Sequence, residues 1–123
     1  MTNKEIRTEY EKLCELRERS TTRFPARVSF AIVRNIREMQ PIYEDIMLTR
    51  MEVLQKYGDP VEDQPGYFAP KIGKEKIMKD ELEAIDKAEP VAHVLQGISF
   101  SDIENLDLSI ADMDALNFML ADF

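Results

Sequence analysis

The 123-residue sequence has one cysteine, one histidine and four glycines. Its uninterrupted apolar runs are no longer than Phe30-Ala31-Ile32-Val33, against the ~20 residues that a membrane-spanning helix needs. No membrane segment is expected. The opening stretch, Met1-Thr2-Asn3-Lys4-Glu5-Ile6-Arg7, has no apolar core of a secretory signal. Cys14 stands alone, so it can form neither an internal disulfide nor a multi-cysteine zinc site. A reducing, cytoplasmic setting fits this best.

The scarce glycines also exclude nucleotide-binding loops. Gly58, Gly66, Gly73 and Gly97 do not make a dinucleotide fingerprint. A phosphate loop ends in Gly-Lys followed by a hydroxyl residue, whereas Gly73-Lys74 is followed by Glu75 and lies too far from Gly66. A Ser-His-Asp or Cys-His arrangement would have to use His93, the sole imidazole. Nothing beside it in sequence argues for that. His93 reads more simply as a structural residue, and Cys14 as a small boundary hydrophobe. The acid runs Glu44-Asp45 and Asp80-Glu81-Glu83 lie on helices, where adjacent side chains splay apart. The stretch from Asp102 to Asp114 lacks the central glycine and alternating oxygen ligands of a calcium loop. No catalytic, cofactor-binding or metal residue is assigned, and no cofactor is expected. A small enzyme stays only as a residual alternative.

What the chain has in abundance is acid, unevenly placed. The formal charge is -8. Residues 1–58 carry 11 Lys+Arg and 9 Asp+Glu, net +2, and residues 59–123 carry 5 and 15, net -10. After Lys87 there is no basic side chain. Direct nucleic-acid binding is disfavoured, because it rests on clustered Lys/Arg neutralising phosphates. Asp102, Glu104, Asp107, Asp112 and Asp114 form a candidate acidic interaction surface. The plainer reading is a solvated acidic face.

Hydrophobic spacing predicts a mainly α single domain over residues 1–123, of the α+β type, with four helical segments and a small β element. Residues 1–58 read as a helical hairpin. The first helix covers residues 3–19, with Ile6, Tyr10, Leu13 and Leu16 as its stripe. The second starts near Pro25 and stops at Gly58-Asp59-Pro60. Along it, Ile32, Ile36, Met39, Tyr43, Ile46, Arg50, Val53 and Tyr57 are spaced 4-3-4-3-4-3-4, and only Arg50 is not apolar. Phe30, Val33, Met47, Met51 and Leu54 are expected to widen the stripe. Pro41, which donates no amide hydrogen bond and crowds the carbonyl of Arg37, predicts a kink.

This helix would be ~50 Å long. A compact domain of this size is roughly 35 Å across. Either Pro41 bends the helix, or part of the stripe is covered by another chain. Met39, Tyr43, Ile46, Arg50, Val53 and Tyr57 are therefore a candidate seam for self-association or a partner, against the plainer reading of burial by the chain's own first and third helices.

Residues 59–123 read as an acidic loop-helix-strand-helix part. An extended piece is expected at Tyr67-Phe68-Ala69. A third helix covers residues 74–87, with Met78, Leu82 and Ile85 apolar, and ends before Pro90. A strand or strand-turn-strand is expected over residues 91–100 with its turn at Gly97. Ser101-Asp102-Ile103-Glu104 and Ser109-Ile110-Ala111-Asp112 both have capping-box spacing. The second opens a final helix with Met113, Leu116 and Leu120 inward and Phe118 and Met119 flanking. The expected core is Ile6, Tyr10, Leu13, Ile32, Ile36, Met39, Tyr43, Ile46, Val53, Leu82, Ile85 and Leu116.

Three stretches carry a resemblance. They are Val28-Ser29-Phe30-Ala31-Ile32-Val33-Arg34-Asn35-Ile36-Arg37 opening the long helix, Lys56-Tyr57-Gly58 closing it, and the run from Ile98 through Leu106, Leu108-Ser109 and Asp114 to Met119. In this order they resemble a family of small proteins encoded by phages and prophages of Gram-positive bacteria, with no assigned biochemical function. Arg34 stands where that pattern has lysine, and Glu89 to His93 diverges. No site residues carry over. The resemblance implies a phage or prophage origin and the cytoplasm of an infected or lysogenic bacterium.

Two functional classes remain beside the residual enzyme. One is a non-catalytic accessory protein that binds a host or phage protein, or a second copy of itself. The other is an acidic inhibitor whose C-terminal half imitates a phosphate backbone to block a host nucleic-acid-handling or defence protein.

Overall fold

The computed structural model describes residues 1–90 and 95–120. Over these residues the chain forms four α-helices, α1 (Asn3–Arg19), α2 (Ala26–Tyr57), α3 (Glu75–Lys87) and α4 (Ile110–Leu116), and two short strands, β1 (Gly58–Pro60) and β2 (Phe68–Pro70). Two 3₁₀ turns, Phe100–Asp102 and Asn117–Met119, flank α4. The fold is mainly α with a small β element.

α1 opens on a reciprocal cap. The Thr2 hydroxyl accepts from the Glu5 amide at 3.2 Å, and the Glu5 carboxylate accepts from the Thr2 amide at 3.1 Å. The next residue ties α1 to the end of α3. The Asn3 amide donates to the Ala88 carbonyl at 2.8 Å, and its Nδ2 donates to the Ile85 carbonyl at 2.9 Å. These bonds satisfy carbonyls that a helix C-terminus leaves without partners.

α2 has 32 residues and runs unbroken with Pro41 inside it. At 1.5 Å per residue it is ~48 Å long, and no other helix among the described residues matches that length. Three segments cover its inner face in relay. α3 covers the C-terminal end, where Val53, Tyr57 and Met78 form a small cluster with Leu82 and Ile85. α1 covers the middle, with Tyr10 packed on Tyr43 at 4.4 Å between ring centroids, their planes tilted by 31°. The chain after residue 95 reaches the N-terminal end, where Gln96 is bonded to Asn35 and Asp102 lies 3.8 Å from Arg27. The main core joins both halves of the chain, from Ile6, Leu13, Ile32, Ile36 and Met39 to Ile98, Ile103, Leu116 and Leu120.

The β element falls partly where the sequence suggested: β2 overlaps the extended piece expected at Tyr67-Phe68-Ala69, but its partner β1 was not expected. β1 and β2 pair antiparallel, Gly58 with Pro70, Asp59 with Ala69 and Pro60 with Phe68. Gly58-Asp59-Pro60 thus ends α2 and also begins a hairpin. A Cβ on Gly58 would sit 2.9 Å from the Leu54 carbonyl oxygen and 3.0 Å from that of Ala69, so the helix-to-strand corner requires glycine. Of the strand expected over residues 91–100, residues 91–94, and His93 with them, lie outside the described residues. Residues 95–97 are irregular, and Ile98 makes a single parallel bridge to Leu120. The first predicted box is also two residues out. Ser99, not Ser101, caps the turn, with its amide donating to Asp102 at 3.0 Å. That frame turns Ile103 into the core, at 2% exposure. The Ser109 box is as expected.

Candidate interaction surface

The proposed seam on α2 is an internal face. Met39, Ile46, Val53 and Tyr57 are buried and Tyr43 half-buried. Arg50, the polar member of the stripe, is half-buried and bonded to Asp86 of α3 at 3.0 Å. Asp86 also accepts from Arg7 of α1 at 3.2 Å. One carboxylate oxygen thus holds three helices together, and Arg50 occupies its heptad position for that reason. The stripe is covered by α1 and α3 and is not open to a second chain. Phe30, Val33 and Met47, expected to widen it, point outward instead.

The five acids do not form one surface. Asp112 is buried at 5% exposure. It accepts from the Thr22 hydroxyl at 2.8 Å and closes the Ser109 cap. Burial pushes its carboxyl up, but hydrogen bonds from Thr22, Ser20 and Ser109 outweigh that and hold it below the usual carboxylate range. Asp102 is half-buried in the Ser99 box, near Arg27. Asp114 is exposed but lies 3.3 Å from Lys12 of α1. Only Glu104 and Asp107 are exposed without a partner among the described residues. The capping spacing of Ser109 and Asp112 was a sign that this acid would bond to its own helix start rather than face a partner.

An open cleft of about 630 Å³ lies between the end of α1, the linker at Ser20 to Thr22, and α4. Its lining sets Lys12 and Arg19 against Glu15, Asp107, Asp112 and Asp114, so acids outnumber bases. Its hydroxyls at Thr22 and Ser109 are committed to Asp112.

Of the other acids raised by the sequence, all but Asp45 have side-chain partners among the described residues, Glu83 lying 4.0 Å from Lys79. Glu44 accepts from Gln40 at 3.1 Å, Asp80 from Lys76 at 2.8 Å, and Glu81 from the Tyr57 hydroxyl at 2.9 Å. Among the described residues no group of three His, Cys, Asp or Glu side chains is placed to hold a metal, and no helix is long and apolar enough to cross a membrane. Cys14 is half-buried against the core. Burial, together with a hydrogen bond to Cys14, pushes the Tyr10 phenol up to about 12.

The outward side of α2 is the surface that sequence reasoning missed. Phe30, Arg34, Arg37, Pro41, Glu44 and Leu48 are all exposed and follow a 4-3-4-3-4 spacing. That spacing sets them in one row along the helix. Phe30 and Leu48, near its ends, are 60% and 61% exposed. The N-terminal part of the row is basic, with Arg27 beside Arg34 and Arg37, and the C-terminal part is acidic, with Glu52 beyond Glu44. The signal was present as a second heptad on the opposite side of α2, masked by the stronger apolar one.

No family model matches the chain, and neither a curated protein nor a solved structure matches it.

Proposed function

We propose that the protein is a non-catalytic accessory protein of a phage or prophage, acting in the bacterial cytoplasm by binding protein through the outward row of α2. The observation that carries this reading is the row itself: two large apolar side chains, more than half exposed, flank paired blocks of opposite charge on a rigid helix. Such a mixture of apolar anchors and charged rim suits protein recognition. The phage setting rests on the sequence resemblance of the α2 start, the α2 end and residues 98–119. The phosphate-mimic alternative draws less support, since Asp112 is buried and Asp102 and Asp114 are close to basic side chains.

The test is affinity capture from a Gram-positive host extract with the tagged protein. A specific protein should be retained by the wild type and by Glu104→Gln/Asp107→Asn. It should be lost with Phe30→Asp/Leu48→Asp. Loss with the acid variant alone would favour the phosphate mimic. If the wild type retains nothing, binding of a host protein through this row is wrong.

A further inference from the structure

The row on α2 is its own complement when reversed. Its six positions are 30, 34, 37, 41, 44 and 48. An antiparallel copy centred at the level of Met39 sets Phe30 opposite Leu48, Arg34 opposite Glu44, and Arg37 opposite Pro41. The same alignment brings Arg27 beside Glu52. We propose that two copies of the chain pair through this row, α2 antiparallel to α2, about a two-fold axis at the level of Met39 on the outward side of the helix. The proposal deepens the interaction reading above and rests on it, by naming a second copy as the occupant.

Four observations argue for this partner. First, every residue in the row is exposed, and the inner face that α1, α3 and the C-terminal segment cover lies on the opposite side of the helix. A second copy can therefore approach α2 without displacing the core. Second, the spacing is that of a helix-pairing seam, and it is unchanged by reversal, as an isologous two-fold contact requires. Third, the charges choose the orientation. A parallel pair would set Arg34 on Arg34 and Glu44 on Glu44, which repel, whereas the antiparallel pair forms the Arg34–Glu44 contact twice. Fourth, the groups are ready for it. Arg34 has no ion partner among the described residues, and Gln40 holds the Glu44 carboxylate at 3.1 Å on the same helix. With two apolar layers and two ionic ones, the interface is small and sensitive to salt.

Sedimentation equilibrium of the full chain over concentrations on the order of 0.1–1 mM, in low and high salt, tests the pairing. The wild type should approach twice the chain mass in low salt and fall back in high salt. Arg34→Glu and Glu44→Arg should each be monomeric, and Arg34→Glu/Glu44→Arg should recover the dimer. All these sites are exposed, and recovery in the double variant shows that the single ones still fold. A wild type that stays monomeric, a single reversal that leaves the dimer intact, or a double variant that does not recover it would each overturn the pairing. A monomeric wild type that still captures a host protein through Phe30 and Leu48 would sink the pairing and leave the interaction reading standing.

Discussion

Asn35, in the N-terminal part of a helix, treats Gln96 as a strand would treat its neighbour. Its Nδ2 donates to the Gln96 carbonyl at 2.9 Å, and its Oδ1 accepts from the Gln96 amide at 2.6 Å. Asn35 is 1% exposed, so both backbone polar groups of Gln96 find their partners inside the protein. The pair anchors the segment that follows residue 95 to α2. From there the chain enters the core through Ile98 and Ile103 and returns at Leu120.

Replacing Asn35 removes a donor and an acceptor together. Asn35→Ala should destabilise the fold by about 2–4 kcal/mol, since a buried group left without a partner costs about 1–3 kcal/mol. Asn35→Asp keeps the shape and can still accept from the Gln96 amide, but when ionised it cannot donate to the carbonyl. It should therefore be less stable than wild type at neutral pH and regain part of the loss in acid, where the carboxyl carries a proton. Urea unfolding at pH 7 and pH 4 measures both effects.

Asn35 also shows where sequence reading stops. The core side of α2 was legible because Ile32, Ile36 and Met39 repeat at helical spacing. Asn35 lies on that same side, four residues before Met39, yet a polar residue adds nothing to an apolar pattern. The bounds of α1 and α2 were legible from local chemistry, Pro25 before the helix and Gly58 after it. The pairing of β1 with β2 was not, because Gly58-Asp59-Pro60 finds its partner across a loop. Two overlapping capping patterns, from Ser99 and from Ser101, fit the sequence equally well, and the burial of Ile103 selects Ser99. For the surface, charge counting located the acids but not their neighbours. Lys12 lies 102 residues from Asp114 in sequence and 3.3 Å from it in space.

The Arg7–Asp86–Arg50 cluster makes an ordered prediction. Asp86 is half-buried, with 21% of its side chain exposed, and both arginines depend on it. Asp86→Ala leaves two cations without that partner and should lower stability by about 1–3 kcal/mol. Arg50→Met keeps the aliphatic stem and leaves Asp86 its bond to Arg7, so it should cost less. Chemical denaturation of the two variants gives the order, and a larger loss for Arg50→Met would show that Asp86 is not the hub.

Two carboxyls make opposite contributions to pH dependence. Asp112 is held below its usual range, so the stability it adds is present above the unfolded pKa and lost as pH falls through its lower folded value. Thr22→Val removes one of its donors and should reduce stability at pH 7 more than at pH 2. For Glu9, burial raises the carboxyl, an effect that Lys12 only partly offsets, and its Oε2 is buried without a hydrogen-bond partner. The folded protein holds that proton more tightly than the unfolded chain, so stability is lost as pH rises through the raised value. Glu9→Gln should stabilise the protein at pH 7 and have little effect below the unfolded pKa. Thermal unfolding of both variants across pH 2 to 7 separates the two slopes.

Pro41 is the last local rule that α2 breaks, and it breaks it on the surface. Proline in a helix interior removes the amide bond to the carbonyl four residues earlier, here Arg37, and costs about 3 kcal/mol relative to alanine. Pro41 and Arg37 are both exposed, so water can serve that carbonyl, and no core contact depends on the ring. Pro41→Ala should restore the missing bond and raise stability by about 1–3 kcal/mol, or roughly 4 °C in Tm per kcal/mol for a chain of this length. The increase should appear as slower or less complete unfolding of α2, read as amide exchange slowing on both sides of position 41. If neither Tm nor exchange moves, the helix already satisfies Arg37 by another route, and the cost assigned to the proline is wrong. In a helix whose outward row is used for pairing, the same substitution sits opposite Arg37 of the second copy. It removes no charge and no large side chain, so the mass in low salt should stay that of the wild type while the melting temperature rises.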